Sequence, residues 1–294
     1  MIRFKNLTKQ YEDGTGIFDF SFEVEEGEVF GLIGSEGSGK TTALRMLMGF
    51  ESATKGRCAI NGKDCRKAAL YLHKMIGYLP EEIALPSVMT GRQFLRSHAE
   101  MRGIKNMERL FESALRLGLN VDERIGKMSP ESLQKTGIVC ALMHNPFVLL
   151  LDDPFQNLDA GARSALVDII LEEKENRKMI LITSSSVDIA DLVCDRAALL
   201  ERGNIVYIAD IENMRDNMYR NYLIRFATER AAMQFSKEPF EVKSIKDRNL
   251  VVSIQGELLP LIRALSNYHV TSIEPVSLKL EEAFVHIYGG NVHA

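Results

Sequence analysis

The 294-residue sequence has no tryptophan, eight prolines, four cysteines and only 7% aromatic residues. Aliphatic and thioether side chains, including thirteen methionines, must therefore fill much of its core. Cys58, Cys65, Cys140 and Cys194 are scattered and form no C-x-x-C pair. That spacing argues against a disulfide framework or zinc site and for buried free thiols. Excess positive charge is missing too: 36 Lys and Arg face 40 Asp and Glu, a formal net charge of −4. Neutralising a phosphate backbone needs a basic surface, so this balance speaks against nucleic acid as a partner. No run reaches the ~18 apolar residues of a membrane span. The stretch from Met1 to Gly14 lacks the apolar core of a signal peptide. The chain reads as cytoplasmic, reaching a membrane only by docking to another protein.

The apolar pattern alternates between strands and helices. Ile2 to Leu7, Ser21 to Val24 and Val29 to Ile33 read as strands. Lys40 to Met48, Gln93 to Arg102, Met107 to Leu117 and Ser132 to His144 read as helices. A fully apolar strand, Phe147 to Leu151, follows, then a helix at Ala160 to Lys174, a strand at Lys178 to Thr183 and a helix at Val187 to Val193. Strands apolar on both faces, alternating with helices, predict an α/β fold with a parallel sheet. Glu201-Arg202-Gly203-Asn204 reads as a hairpin turn. From about Asp210 the pattern changes to strand, strand, helix, strand, helix at Tyr222 to Thr228, Leu250 to Ile254, Leu258 to Ser266, Val270 to Glu274 and Leu278 to Ile287. This predicts a small α+β domain over 210–294, appended to a first domain over 1–209.

The sharpest chemical signal is Gly34-Ser35-Glu36-Gly37-Ser38-Gly39-Lys40-Thr41, a match to G-x4-G-K-[ST] between an apolar strand and a helix. Glycines let successive backbone N–H groups turn inward onto phosphates, and the helix adds its N-terminal dipole. Lys40 is placed to reach β- and γ-phosphates, and Thr41 to offer a hydroxyl to Mg²⁺. A second element is the strand Phe147 to Leu151 ending in Asp152-Asp153-Pro154. Alone it reads equally as a strand end with a turn. Beside a phosphate loop, Asp152 becomes a candidate Mg²⁺ carboxylate and Asp153 a candidate base for an attacking water.

From Ile2 to Ile208 the chain resembles the ATP-binding subunits of ABC transporters, with the landmarks in family order. Tyr11 sits where that family stacks an aromatic on adenine. Ile76 to Glu81 resembles the Q-loop, with Glu81 in place of glutamine. Lys127 to Ser132 falls at the signature peptide, with Ser129 retained, and Ala141 to Pro146 matches the end of the signature helix. Asn157-Leu158-Asp159 resembles the D-loop. Thr183-Ser184-Ser185 lies at the switch position, with Ser185 where histidine is usual. Cys194-Asp195-Arg196 is a further landmark, expected to be structural. Leu278 to Phe284 resembles the tail of subunits that serve bacterial ABC-2-type exporters.

The resemblance implies an ABC-type P-loop NTPase fold with a helical subdomain at about 82–143. It implies ATP and Mg²⁺ as cofactors. Tyr11, Gly34, Ser35, Glu36, Gly37, Ser38, Gly39, Lys40, Thr41, Thr42 and Ser129 would contact nucleotide. Thr41, Asp152 and Glu81 would face the metal, and Asp153, Ser185 and Glu81 would act in catalysis. It implies two partners: a separate membrane permease, and a second ATP-binding cassette, this chain or a paralogue, paired head to tail. That places the protein on the inner face of the cell membrane. The segment Glu81 to Phe94, with Ile83, Leu85, Val88 and Met89, is the expected docking region for the permease; it reads equally as an ordinary packed loop.

The departures set a further expectation. Asp153 is one methylene shorter than the usual glutamate, and base catalysis is sensitive to misplacement on that scale. Ser185 is never cationic. Pro130 and Glu131 replace the two signature glycines, removing an N–H and adding a carboxylate. Glu36 and Glu81 add negative charge near the phosphates. Together they predict retained ATP binding with slow hydrolysis that drives or gates export. The alternative is a regulatory ATP-binding module with little useful hydrolysis. A small-molecule kinase would have no reason to carry the D-loop and Cys194-Asp195-Arg196 landmarks.

Overall fold

A computed structural model of the protein describes residues 1–213, 220–254 and 257–276. The chain divides into two compact units, Met1–Asp210 and Ile211–Ala294. The first unit begins with β1 (Ile2–Gln10), β2 (Gly16–Val24), β3 (Val29–Gly34), α1 (Lys40–Leu47), β4 (Lys55–Ile60) and β5 (Lys63–Asp64). It continues through α2 (Ala69–Leu72), β6 (Ile76–Leu79), α3 (Gly91–Met101), α4 (Glu108–Arg116) and α5 (Pro130–Leu142). It closes with β7 (Val148–Asp152), α6 (Ala160–Glu175), β8 (Met179–Ser184), α7 (Asp188–Val193), β9 (Arg196–Glu201) and β10 (Asn204–Asp210).

Two sheets form this unit. β2-β1-β4-β5 is antiparallel, and β10-β9-β3-β8-β7-β6 is parallel except for its edge strand β10. Every residue of β3, β7 and β8 is buried, which is why these strands read as unbroken apolar runs. Three of the scarce aromatics stack in this unit: Phe22 lies 4.4 Å from Phe4 and 4.8 Å from Phe30, ring centre to ring centre. Each such pair adds roughly 0.5–1.5 kcal/mol beyond the area it buries. Cys194-Asp195-Arg196 fastens the start of β3. The Asp195 carboxylate accepts the Val29 N–H at 2.9 Å and pairs with Lys174, and Arg196 meets Glu28 at 3.1 Å. The hairpin between β9 and β10 turns on Arg202 and Gly203, both with positive φ.

The second unit contains β11 (Arg220–Phe226), α8 (Glu229–Phe235), β12 (Glu241–Lys246), β13 (Asn249–Ile254), α9 (Leu259–Leu265) and β14 (Val270–Val276). Its antiparallel sheet has the order β12-β13-β11-β14 around a separate core that includes Phe226, Phe235, Leu250, Val252 and Leu261.

Several elements differ from the sequence expectation. β4, β6, β12 and α8 are not evident from the pattern. β12 is a charged edge strand, mostly exposed, and so lacks apolar alternation. β6 carries Gly77 because a Cβ there would meet the Ala141 carbonyl oxygen at 2.1 Å. Cys140 is half-buried rather than buried. The expected helix Leu278 to Ile287, with its family-like tail, lies outside the described residues.

Candidate nucleotide site

The parallel register builds the site. Ile33 pairs with Ser184 across β3 and β8, and Asp152 pairs with Thr183 across β7 and β8. The phosphate loop, the acid pair and the Thr183-Ser184-Ser185 segment therefore leave the same edge of one sheet. They converge on a cleft of about 530 Å³. Tyr11, Glu36, Gly37, Gly39, Lys40, Thr41 and Thr42 line it from the loop side. Glu81, Asp152, Asp153 and Ser185 line it from the other side.

The loop conformation follows from its glycines. Gly39 has φ +103°, and a Cβ there would meet Ile17 Cγ2 at 2.5 Å. It caps α1, whose first residue is Lys40. Lys40 Nζ donates to Gly34 O at 2.7 Å and Ser35 O at 2.8 Å. Burial pulls its ammonium below the ordinary value, while Asp153, Asp152, Glu81 and Glu36 act in the opposite sense. Gly34, Ser35 and Ser38 shape the loop without lining the cleft, and Ser38 is buried. The Glu36 side chain is exposed, so solvent screens the charge it adds. Tyr11 is half-buried with Lys9 Nζ 4.9 Å from its ring centre.

On the acid side, Thr41 Oγ1 donates to Glu81 Oε2 at 3.2 Å. Asp152 is buried. Its Oδ1 accepts from the Thr183 hydroxyl, and its Oδ2 has no hydrogen-bond partner among the described residues. Burial raises the Asp152 carboxyl above its ordinary value; Glu81 and Asp153 push the same way, and the nearby hydroxyls of Thr183 and Thr41 oppose. Asp153 adopts φ 43°, and its carboxyl is raised by burial, lowered by Lys40 and raised by Glu81.

The signature residues stand apart. Ser129, the N-cap of α5, is not among the residues lining the cleft, and its Oγ accepts the Ser132 N–H at 3.1 Å. Pro130 does not harm the helix, as it occupies the first turn, where the missing N–H has no intrahelical partner. Glu131 is drawn to Lys135 at 2.7 Å, and Lys135 lies 3.9 Å from Asp159.

The sequence model of the ABC transporter family matches residues 17–156. The chain is 34% identical over 228 residues to the uncharacterized ABC transporter ATP-binding protein MJ1023 of Methanocaldococcus jannaschii, across 76% of this chain and 82% of that protein. The chain belongs to the ABC transporter family as an ATP-binding protein. The cassette is also 28% identical over 297 residues to the uncharacterized ABC transporter ATP-binding protein YhcH of Bacillus subtilis, covering 98% of this chain and 96% of that one. A solved structure of an ATP-binding subunit of an ABC transporter superposes with a TM-score of 0.68 at 27% identity, over 73% of the cassette chain and 92% of its own. The cassette is thus an α/β ATP-binding subunit of a transporter, and no described helix is long and apolar enough to cross a membrane.

Mg²⁺ fits the residues present. Thr41, Glu81 and Asp152 supply hard oxygens, and the buried Asp152 Oδ2 lacks a partner. Among the described residues, no three His, Cys, Asp or Glu side chains form a metal-holding group. Mg²⁺ at a nucleotide is held by one or two protein carboxylates together with substrate phosphates.

Sequence reasoning missed four contributors. Thr15, Gly16 and Gln156 line the cleft, and Thr183 bridges the acids. Proximity to Tyr11 could have flagged Thr15 and Gly16; Gln156, three residues past Asp153, carried no motif signal. In the segment Glu81 to Phe94, Ile83, Leu85 and Phe94 line a second cleft of about 270 Å³, and Val88 is 80% exposed.

Proposed function

We propose that the cassette binds ATP in the larger cleft and hydrolyses it slowly, driving or gating export through a separate membrane permease. The observation that carries this reading is the convergence of Lys40, Thr41, Asp152 and Asp153 on one cleft. Loop N–H groups and Lys40 hold the phosphates, and Tyr11 at the rim takes the adenine. Thr41, Asp152 and Glu81 would hold Mg²⁺, which when bound neutralises charge on phosphate oxygens. Asp153 accepts a proton from the attacking water, and Ser185 faces the γ-phosphate without a cation to offer.

Ser129 caps a helix outside this cleft, which supports its use on the nucleotide of a second, head-to-tail cassette. The second cleft and the exposed Val88 support docking of the permease along Glu81 to Phe94, which would hold the cassette at the inner membrane face.

The test is ATP turnover by the purified cassette, alone and with its membrane partner. Turnover below ~1 s⁻¹, the low end of ordinary enzymes, is expected with nucleotide binding intact. Tens of turnovers per second would overturn slow hydrolysis. The same two departures, Asp153 and Ser185, favour a second reading, a regulatory module that closes on ATP. Copurification with a soluble partner instead of a multi-span membrane protein would select it.

A further inference from the structure

One buried hydroxyl holds both acids at the end of β7. Thr183 Oγ1, on the neighbouring strand β8, accepts the Asp153 N–H at 3.0 Å and is hydrogen-bonded to Asp152 Oδ1. The directions of these bonds are fixed by chemistry. A backbone N–H only donates, so the single hydroxyl proton of Thr183 points to Asp152 Oδ1. Oδ1 is thereby occupied, and the buried Oδ2 is the oxygen left without a hydrogen-bond partner among the described residues.

The same hydroxyl also fixes a turn. Asp153 stands at φ 43°, a region that non-glycine residues seldom enter. Its N–H is gripped by Thr183. Its carbonyl accepts from the Gln156 N–H at 3.2 Å and from Gln134 Nε2 at 3.3 Å, and the same Gln134 nitrogen reaches Pro154 O at 3.1 Å. Thr183 is fully buried, and Gln134 is 4% exposed. A left-handed Asp153 held from both sides presents its side chain to the cleft that it lines.

We propose that Thr183 is a positioning residue that sets the two acids together. Its donated proton orients Asp152 so that Oδ2 serves the cation, and its accepted N–H locks the turn that aims Asp153. This rests on the reading of Asp152 and Asp153 as the acids of the nucleotide site. Thr183 touches neither nucleotide nor cation in this role and acts only through its neighbours. Valine would keep the shape of threonine and lose both hydrogen bonds; serine would keep both.

Thr183→Val and Thr183→Ser in the full chain test it through two readouts. One is the affinity for a fluorescent ATP analogue with Mg²⁺ and with EDTA. The other is kcat and KM for ATP. Thr183→Val is expected to keep metal-free binding within twofold of wild type. It should lose on the order of 10-fold of the affinity that Mg²⁺ adds, with a similar fall in kcat, the usual scale for losing a partner that orients a metal ligand. Thr183→Ser should restore both readouts to within about threefold. A wild-type Mg²⁺ response and kcat in Thr183→Val would overturn the proposal. So would equal losses in Thr183→Val and Thr183→Ser, which would assign the residue to packing. If Thr183→Val does not fold, Thr183→Ala is read in the same way. A wild-type protein that fails to bind the analogue overturns the nucleotide site itself. Binding without turnover leaves the Mg²⁺ readout to decide.

Discussion

The phosphate loop and the acid pair hang from strands of one sheet, with β8 between them, yet they differ in how far they depart from the family pattern. On the loop side the glycines, Lys40 and Thr41 are all in place, and the one departure, Glu36, is exposed. On the acid side three groups are changed: Asp153 is shortened, Ser185 has no imidazole, and Glu81 is a carboxylate where an amide is usual. The physical demands of the two sides explain why they can diverge. Phosphate binding sums many backbone N–H groups and one cation, Lys40, so a departure at an exposed loop position such as Glu36 leaves it in place. Proton abstraction needs one atom at hydrogen-bond distance, and a displacement of about 1 Å costs on the order of 10²-fold.

The largest expected effect breaks the stronger side. Lys40→Ala should weaken ATP binding on the order of 100-fold, measured by titration with a fluorescent analogue. A loss of only a few fold would mean that the loop backbone alone suffices. Next in size, Asp153→Glu restores the missing methylene and should raise kcat about 10-fold with KM unchanged. No increase would move the limit to Ser185 or to the altered signature.

A third measurement sharpens the electrostatics of the acid side. Asp153 is raised by burial and further raised by Glu81, and a base works only when ionised. Turnover should therefore fall with acidity at a pH above the ordinary carboxylate range. Glu81→Gln removes one of the raising charges, so the acid limb should move to lower pH; an unmoved limb would dissociate Asp153 from the rate. The smallest effect belongs to the loop. Glu36→Ser should tighten ATP binding by less than ~3-fold, and high salt should erase the gain, because an exposed charge is screened.

Much of this site is legible along the chain. A phosphate loop is a local device: eight consecutive residues, Gly34 to Thr41, set its turn, its helix start and its cation. The acid strand is legible as well, because burial on both faces leaves the run Val148-Leu149-Leu150-Leu151, and the first polar residue, the buried Asp152, marks the strand end beside the cleft. The signature region is harder. Pro130 and Glu131 read as losses, but helix α5 accommodates the proline in its first turn, and Lys135, one turn on, takes up the carboxylate. Only the helical spacing, four residues from Glu131 to Lys135, hinted at that pairing. In the second unit α8 and β12 stayed hidden because each is short, and the pattern of β12 is dominated by charge.

The sequence by itself determined the α/β class and the family, through the alternation of its elements and the order of its landmarks, and it offered the phosphate loop as a contiguous motif beside which the acid pair became a candidate. Only the tertiary structure decided which groups meet the acid pair. Thr183 lies 30 residues beyond Asp153, and it becomes the hydroxyl between two carboxyl-bearing residues solely through the register of β7 on β8. Gln134 and Gln156 reach the same turn from a helix and a loop. A hydrogen bond requires its atoms within about 3 Å in a fixed direction, and only the folded chain sets that geometry.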